Sequence, residues 1–111
     1  MNSKTEILLR IGHADCRLEQ AISAPSLAAA WVHVTKAMEH LSFSAGMADE
    51  RARWKSQHEA AVALRALAHG LLSVGTFMLD PDVDQTVSDW AENLADIRLD
   101  LYRLASRGKF R

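Results

Sequence analysis

The chain has 111 residues, 49% of them hydrophobic, which is the size and apolar content of one globular domain with its own core. A formal net charge of −1 supplies no global field toward nucleic acid or an anionic membrane. A single cysteine, Cys16, excludes an intramolecular disulfide and a multi-cysteine metal site. Met1 is followed by polar Asn2, Ser3 and Lys4, and no apolar run is long enough to span a bilayer, so a cytoplasmic chain without a membrane partner is expected. Alanine is abundant, aromatic residues are 6% of the chain, and its two prolines, Pro25 and Pro81, sit where helices would be separated. The composition points to an all-α domain.

The first helix is expected over about 3–24. Ser3-Lys4-Thr5-Glu6 has the form of a capping box, and Ile7, Ile11, Ala14, Leu18 and Ala21 follow at alternating spacings of four and three. Gly12 interrupts this helix at a cost of about 1 kcal/mol relative to alanine, and close approach of a neighbouring helix would explain it. Ala24-Pro25 ends the run, because a residue before proline resists the α region.

The second helix is expected over 26–42, capped by Ser26 or opened by Pro25. Leu27, Trp31, Val34, Met38 and Leu41 form its seam, flanked by Ala28, Ala30 and Ala37. Ser42-Phe43-Ser44-Ala45-Gly46 reads as a connection, with Phe43 folded back over the end of the core.

A third helix over 47–79 begins charged, with Trp54 and Ala61 inward, and becomes apolar on nearly every face after Ala60. Only Arg65, His69, Ser73 and Thr76 interrupt that second half. A helix apolar on all sides is buried on all sides, which predicts either a bend near Gly70 or Gly75 or cover by another subunit. The subunit is the preferred explanation.

The fourth helix is expected over 82–107, after a stop at Asp80-Pro81, with Asp82 or Asp84 as cap and Gly108 beyond its end. Val83, Val87, Trp90, Leu94, Ile97, Leu101 and Leu104 make an uninterrupted heptad seam. Asp80, Asp82, Asp84 and Asp89 lead the helix, and Arg103, Arg107, Lys109 and Arg111 close it, as the helix dipole favours. A weaker apolar stripe of Ala91, Ala95, Leu99 and Tyr102 lies away from the seam. Four amphipathic helices with short connections predict an up-down-up-down antiparallel four-helix bundle, a single domain over 1–111.

Candidate chemistry is sparse. Arg51 or Arg53 followed by His58 places an arginine and a histidine on one charged stretch, with Arg51 two turns from His58 on a shared helical face. This pattern resembles the motif of the HEPN ribonucleases, which implies a paired Arg51 and His58 cleaving RNA across a dimer by 2′-hydroxyl attack. The polar residue usual after the arginine is Ala52 or Trp54 here, and the plainer reading is a charged solvent face.

His13, Cys16 and Glu19 share one stripe and His33 and His40 another, but the Glu-x-x-His spacing of bundle metal sites is missing and these side chains fall outside the seams. No metal and no cofactor are expected. Asp89, Glu92, Asp96 and Asp100 form an acidic stripe on one helix without a companion carboxylate set, so it reads as a solvated face balanced in part by Arg103. No nucleophile motif or phosphate-cradling loop occurs.

These residues predict a non-enzymatic helical module for self-association, as a homodimer or larger, or for binding another protein. Nucleic acid is not an expected partner. Leu72, Phe77, Leu99 and Tyr102 are the predicted contact residues. The alternatives are a small HEPN-like RNA-cleaving protein and an inhibitor or adaptor encoded by a mobile element.

Overall fold

The structure, a computed structural model, describes residues 3–79 and 87–106. It contains helices α1 (Ser3–Ile22), α2 (Leu27–Arg51), α3 (Lys55–Leu79) and α4 (Val87–Ser106), and no strand among the described residues. Each helix packs on the next and α4 returns to α1, closing a ring of four. Side-chain pairs fix the directions. Arg10 meets His40 while Arg17 meets His33, so α1 and α2 run oppositely. Asp49 meets Arg65 near one end of α2, whereas Trp31 lies against Gly75 near the other, so α3 opposes α2. The all-α, antiparallel bundle anticipated from periodicity is therefore present, 44 Å along its longest axis.

Its second and third helices divide the chain differently from the expectation. α2 does not stop at Ser42 but runs on to Arg51. Ser44, Ala45 and Ala48 are buried and extend the seam of Val34, Ala37 and Leu41. The Ser44 hydroxyl donates 2.8 Å to the His40 carbonyl, satisfying inside the helix a group that would otherwise favour a turn. The break instead falls at Ala52–Trp54, where Ala52 is extended at φ −68°, ψ 135°. Gln57 secures it: its Oε1 accepts from the backbone N–H groups of Arg53 at 2.6 Å and Trp54 at 3.3 Å. This is the returning half of a capping box, with the glutamine in the first turn of α3. Trp54, expected inside, is 60% exposed, while Ala61 is fully buried as expected. Ser26 is the cap of α2, its hydroxyl accepting from the Ala29 N–H at 3.2 Å.

The core explains how closely each helix sits. All five predicted seam residues of α1 are buried. On α2 the buried line is Ala30, Val34, Ala37, Leu41, Ala45 and Ala48, with Leu27, Trp31 and Met38 only half-buried beside it. Alanine, taken from sequence as the flank, is the centre. Nine of the twenty buried core side chains among the described residues are alanines, all on α1, α2 and α3, and methyl groups let those three backbones approach. Among its described residues α4 buries large side chains, Trp90, Leu94, Leu101 and Leu104, and it packs more sparsely on both neighbours than α1 and α3 pack on α2. The Trp90 indole N–H is fully buried with no acceptor among the described residues.

α3 runs unbroken through Gly70 and Gly75. A Cβ on Gly75 would fall inside the Trp31 ring, so this glycine makes room for a tryptophan rather than a bend. Nor is the second half of α3 buried on all sides. Val62, Arg65, Ala66, His69, Leu72, Ser73 and Thr76 form an exposed stripe, and one chain leaves this helix its wet face without help from another subunit. Outside the described residues lie the expected Asp80-Pro81 stop, the Asp82 or Asp84 cap, Val83, Gly108 and the basic tail of Arg107, Lys109 and Arg111.

Candidate interaction surfaces

The sparser packing of α4 leaves a groove of about 500 Å³ between α4 and α1. Leu8, Ile11 and Gly12 line one wall, and Ala95, Leu99, Leu101, Tyr102 and Ala105 the other. Gly12 is not the close approach expected of it: a Cβ there would have no atom within 4 Å, and the residue is open floor. Leu99 and Tyr102 stand on the rim, 47% and 70% exposed. Asp15 and Arg98 also line the groove, where Arg98 Nε donates 2.7 Å to Asp15 Oδ1 and Nη2 donates 3.2 Å to Asp15 Oδ2. Glu19 approaches the same guanidinium at 3.7 Å. The hydrogen bond to Asp15 raises the Arg98 pKa above its ordinary value. This fork fixes the register of α4 on α1, and because all three groups are partly exposed it adds at most about 1 kcal/mol.

The predicted contact residues divide. Leu99 and Tyr102 share the α1/α4 groove. Leu72, 47% exposed, borders a second recess between α2 and α3 with Met38, Ser42, Arg65, Ala68 and His69. In the order α1–α2–α3–α4 these grooves occupy opposite sides of the ring, so the residues do not form one patch. The side chain of Phe77 lies outside the described residues.

Arg51 and His58 are not two turns apart on one helical face. Arg51 ends α2 and His58 lies in the opening turns of α3, on the far side of the chain break. The partner of His58 is Asp49, to which its Nδ1–H donates at 3.0 Å, and Arg65 approaches the other carboxylate oxygen at 3.6 Å. The hydrogen bond from His58 holds the Asp49 carboxyl below its ordinary value, helped by the charge of Arg65 and opposed by some desolvation. This triad ties α2 to α3 beside the turn.

The third surface is where α1 meets α2. The sequence separated His13 from His40; the fold stacks them edge to face, with ring centroids 5.3 Å apart. It also aligns Arg10 and Arg17 on α1 with His40 and His33 on α2. Arg10 Nη1 donates 3.4 Å to His40 Nδ1, and Arg17 Nη1 donates 3.2 Å to His33 Nδ1. Sequence reasoning missed this ladder, although both helices carry its members seven residues apart, and antiparallel packing brings equal intervals into register. Phe43 does not cap the core; it is half-exposed with the Arg10 guanidinium 4.3 Å above its ring. Burial, followed by the charges of His13, Arg10 and Arg17, lowers the His40 pKa against a smaller opposing effect of Glu39. No group of three His, Cys, Asp or Glu side chains among the described residues could hold a metal. Along α4, Asp89, Glu92, Asp96 and Asp100 are exposed, and Asp100 lies 3.7 Å from Arg103.

Compared with protein-family models, with curated proteins and with solved structures, the chain matches none of them. Among the described residues no helix is long and apolar enough to cross a membrane.

Proposed function

We propose that the protein is a non-enzymatic helical module whose role is to pair with a second copy of itself through the α1/α4 groove. The observation that carries this reading is that one surface holds both a trough and side chains able to fill one. Gly12, Ala95 and Ala105 leave space, and Leu99 and Tyr102 protrude beside it. A two-fold axis across such a surface places each copy's Leu99 and Tyr102 toward the other's trough, the self-complementarity that a symmetric dimer requires. The helices are about 30 Å long, and a two-helix face of that length is of the size a stable interface needs, about 800 Å² from each partner. The Arg98–Asp15 pair in the same groove supplies charged groups that fix orientation more than they add affinity.

Light scattering across the micromolar range tests the proposal. The native chain is expected at the mass of a dimer. Leu99→Glu, which places a charge in the trough of the facing copy, is expected at the mass of one subunit with its helical circular dichroism unchanged. A native chain that stays monomeric throughout the range removes the reading, as does a dimer indifferent to Leu99→Glu.

A further inference from the structure

We propose that the face between α1 and α2, built on Arg10, Arg17, His33 and His40, is an oxyanion site that takes a ligand carrying linked phosphate groups. Among the described residues five arginines make side-chain contacts, and these are of two kinds. Arg65, Arg98 and Arg103 each lie within 4.0 Å of a carboxylate. Arg10 and Arg17 instead donate to His40 Nδ1, His33 Nδ1 and the amide oxygen of Gln20, and Arg10 lies over Phe43. None of these partners carries negative charge. A guanidinium is far better satisfied by a bidentate oxyanion than by an imidazole nitrogen, so the phosphate displaces a weak partner at each position.

The charges facing this site leave it positive. α1 contributes Arg10, His13 and Arg17, with Glu6 one turn before Arg10; α2 contributes His33, Lys36, Glu39 and His40. Among the described residues Glu39 is the one carboxylate acting on His40, and Lys36 lies 3.6 Å from it. Between the helices, His13, Cys16, Arg17, Gln20 and His40 line a recess of about 280 Å³, room for a phosphate group to enter. Seven residues separate Arg10 from Arg17, a rise of about 10 Å along the helix, so two guanidinium groups straddle a short phosphate chain rather than crowd one anion.

Binding is coupled to protons. Each arginine–histidine hydrogen bond requires a neutral imidazole as acceptor, and protonating it sets two cations side by side. When the anion takes the arginine, that histidine is freed to accept a proton and donate to phosphate in turn. The ligand therefore draws a proton onto a freed imidazole, and affinity rises as pH falls.

Inorganic tripolyphosphate is the probe, titrated by calorimetry at about pH 5.5 and about pH 7.5, on either side of the ordinary histidine value. Binding is expected to be at least about tenfold tighter at the lower pH, and to be lost in Arg10→Gln/Arg17→Gln with helicity preserved. In the native chain, NMR titration is expected to move the ring protons of His33 and His40 while those of His58 and His69, outside this face, stay in place. Absence of binding at the lower pH overturns the proposal, as does binding indifferent to the double substitution or equal shifts at all the histidines. A single-stranded oligonucleotide bound through these arginines while tripolyphosphate is not would also overturn it, making the face a nucleic-acid surface.

Discussion

Gly12 and Gly75 both sit inside helices, and their surroundings reverse what the sequence suggests for them. Sequence suggests a neighbouring backbone for Gly12 and offers Gly75, with Gly70, only as the place of a less favoured bend; the fold gives Gly12 open space and Gly75 the ring of Trp31. The spacing of glycines along one helix carries no record of which side chain arrives from another, so this information was not legible. Opposite substitution effects follow. Gly12→Ala adds a methyl where nothing opposes it and removes the helix penalty of glycine, so a gain of up to about 1 kcal/mol is expected. Gly75→Ala forces the tryptophan out of place and is expected to cost about 1–3 kcal/mol, as overpacking does. Thermal unfolding of both variants checks this, each measured in the Leu99→Glu background so that any pairing of copies is removed from the comparison. A change of 1 kcal/mol moves the midpoint by about 4–8 °C in a domain this small.

Among the elements, the buried face of α1 was legible because Ile7, Ile11 and Leu18 are large enough to mark the inward side. α2 was not, since alanine gives a weak periodic signal and Ala30, Ala37, Ala45 and Ala48 occupy its centre. Ser42 to Gly46 looks like a break by local preference. Burial of Ser44, Ala45 and Ala48 outweighs propensity differences of about 0.5–1 kcal/mol per residue. The true break contains neither proline nor glycine at 52–54, and its stability depends on Gln57, buried and accepting from two consecutive N–H groups. Gln57→Ala leaves those donors without this acceptor and is expected to lower stability by about 1 kcal/mol, within the usual range for a lost cap. Urea unfolding followed by circular dichroism reads the change, with native helix content retained before the transition. That Leu99 and Tyr102 stand outside the main stripe of α4 was visible from sequence, and both are exposed in the fold. That Leu72 belongs to the opposite side was not, because helix order around the ring is a property of the assembled fold.

At the scale of the whole bundle, pH acts through the α1/α2 face. The folded His40 titrates below its ordinary value, chiefly through burial and then through His13, Arg10 and Arg17. The unfolded chain therefore takes up this proton first, and its contribution to stability is present above the ordinary histidine pKa and is lost as pH falls from there through the folded value. The urea midpoint is expected to drop on acidification from neutral pH across that window. His40→Gln should flatten the drop, and its persistence in that variant would assign the effect to other groups. Asp49, whose folded pKa is also lowered, adds stability above its own unfolded value and loses it as pH falls through the folded one, in a more acid window. Helix count and antiparallel order were legible from the sequence, while the ladder and the groove were not, because both arise only where residues from two helices come into register.

The alanine-centred packing of α1, α2 and α3 also makes the molecule's tolerance to change lopsided. Buried leucines such as Leu18, Leu41 and Leu64 can lose volume in several sizes of step; at the alanine positions the side chain is already a methyl group, and only glycine is smaller. Any larger side chain at Ala30, Ala37 or Ala61 must wedge the helix axes apart along their length, so variation is confined to the half-buried shoulders, such as Leu27 and Met38.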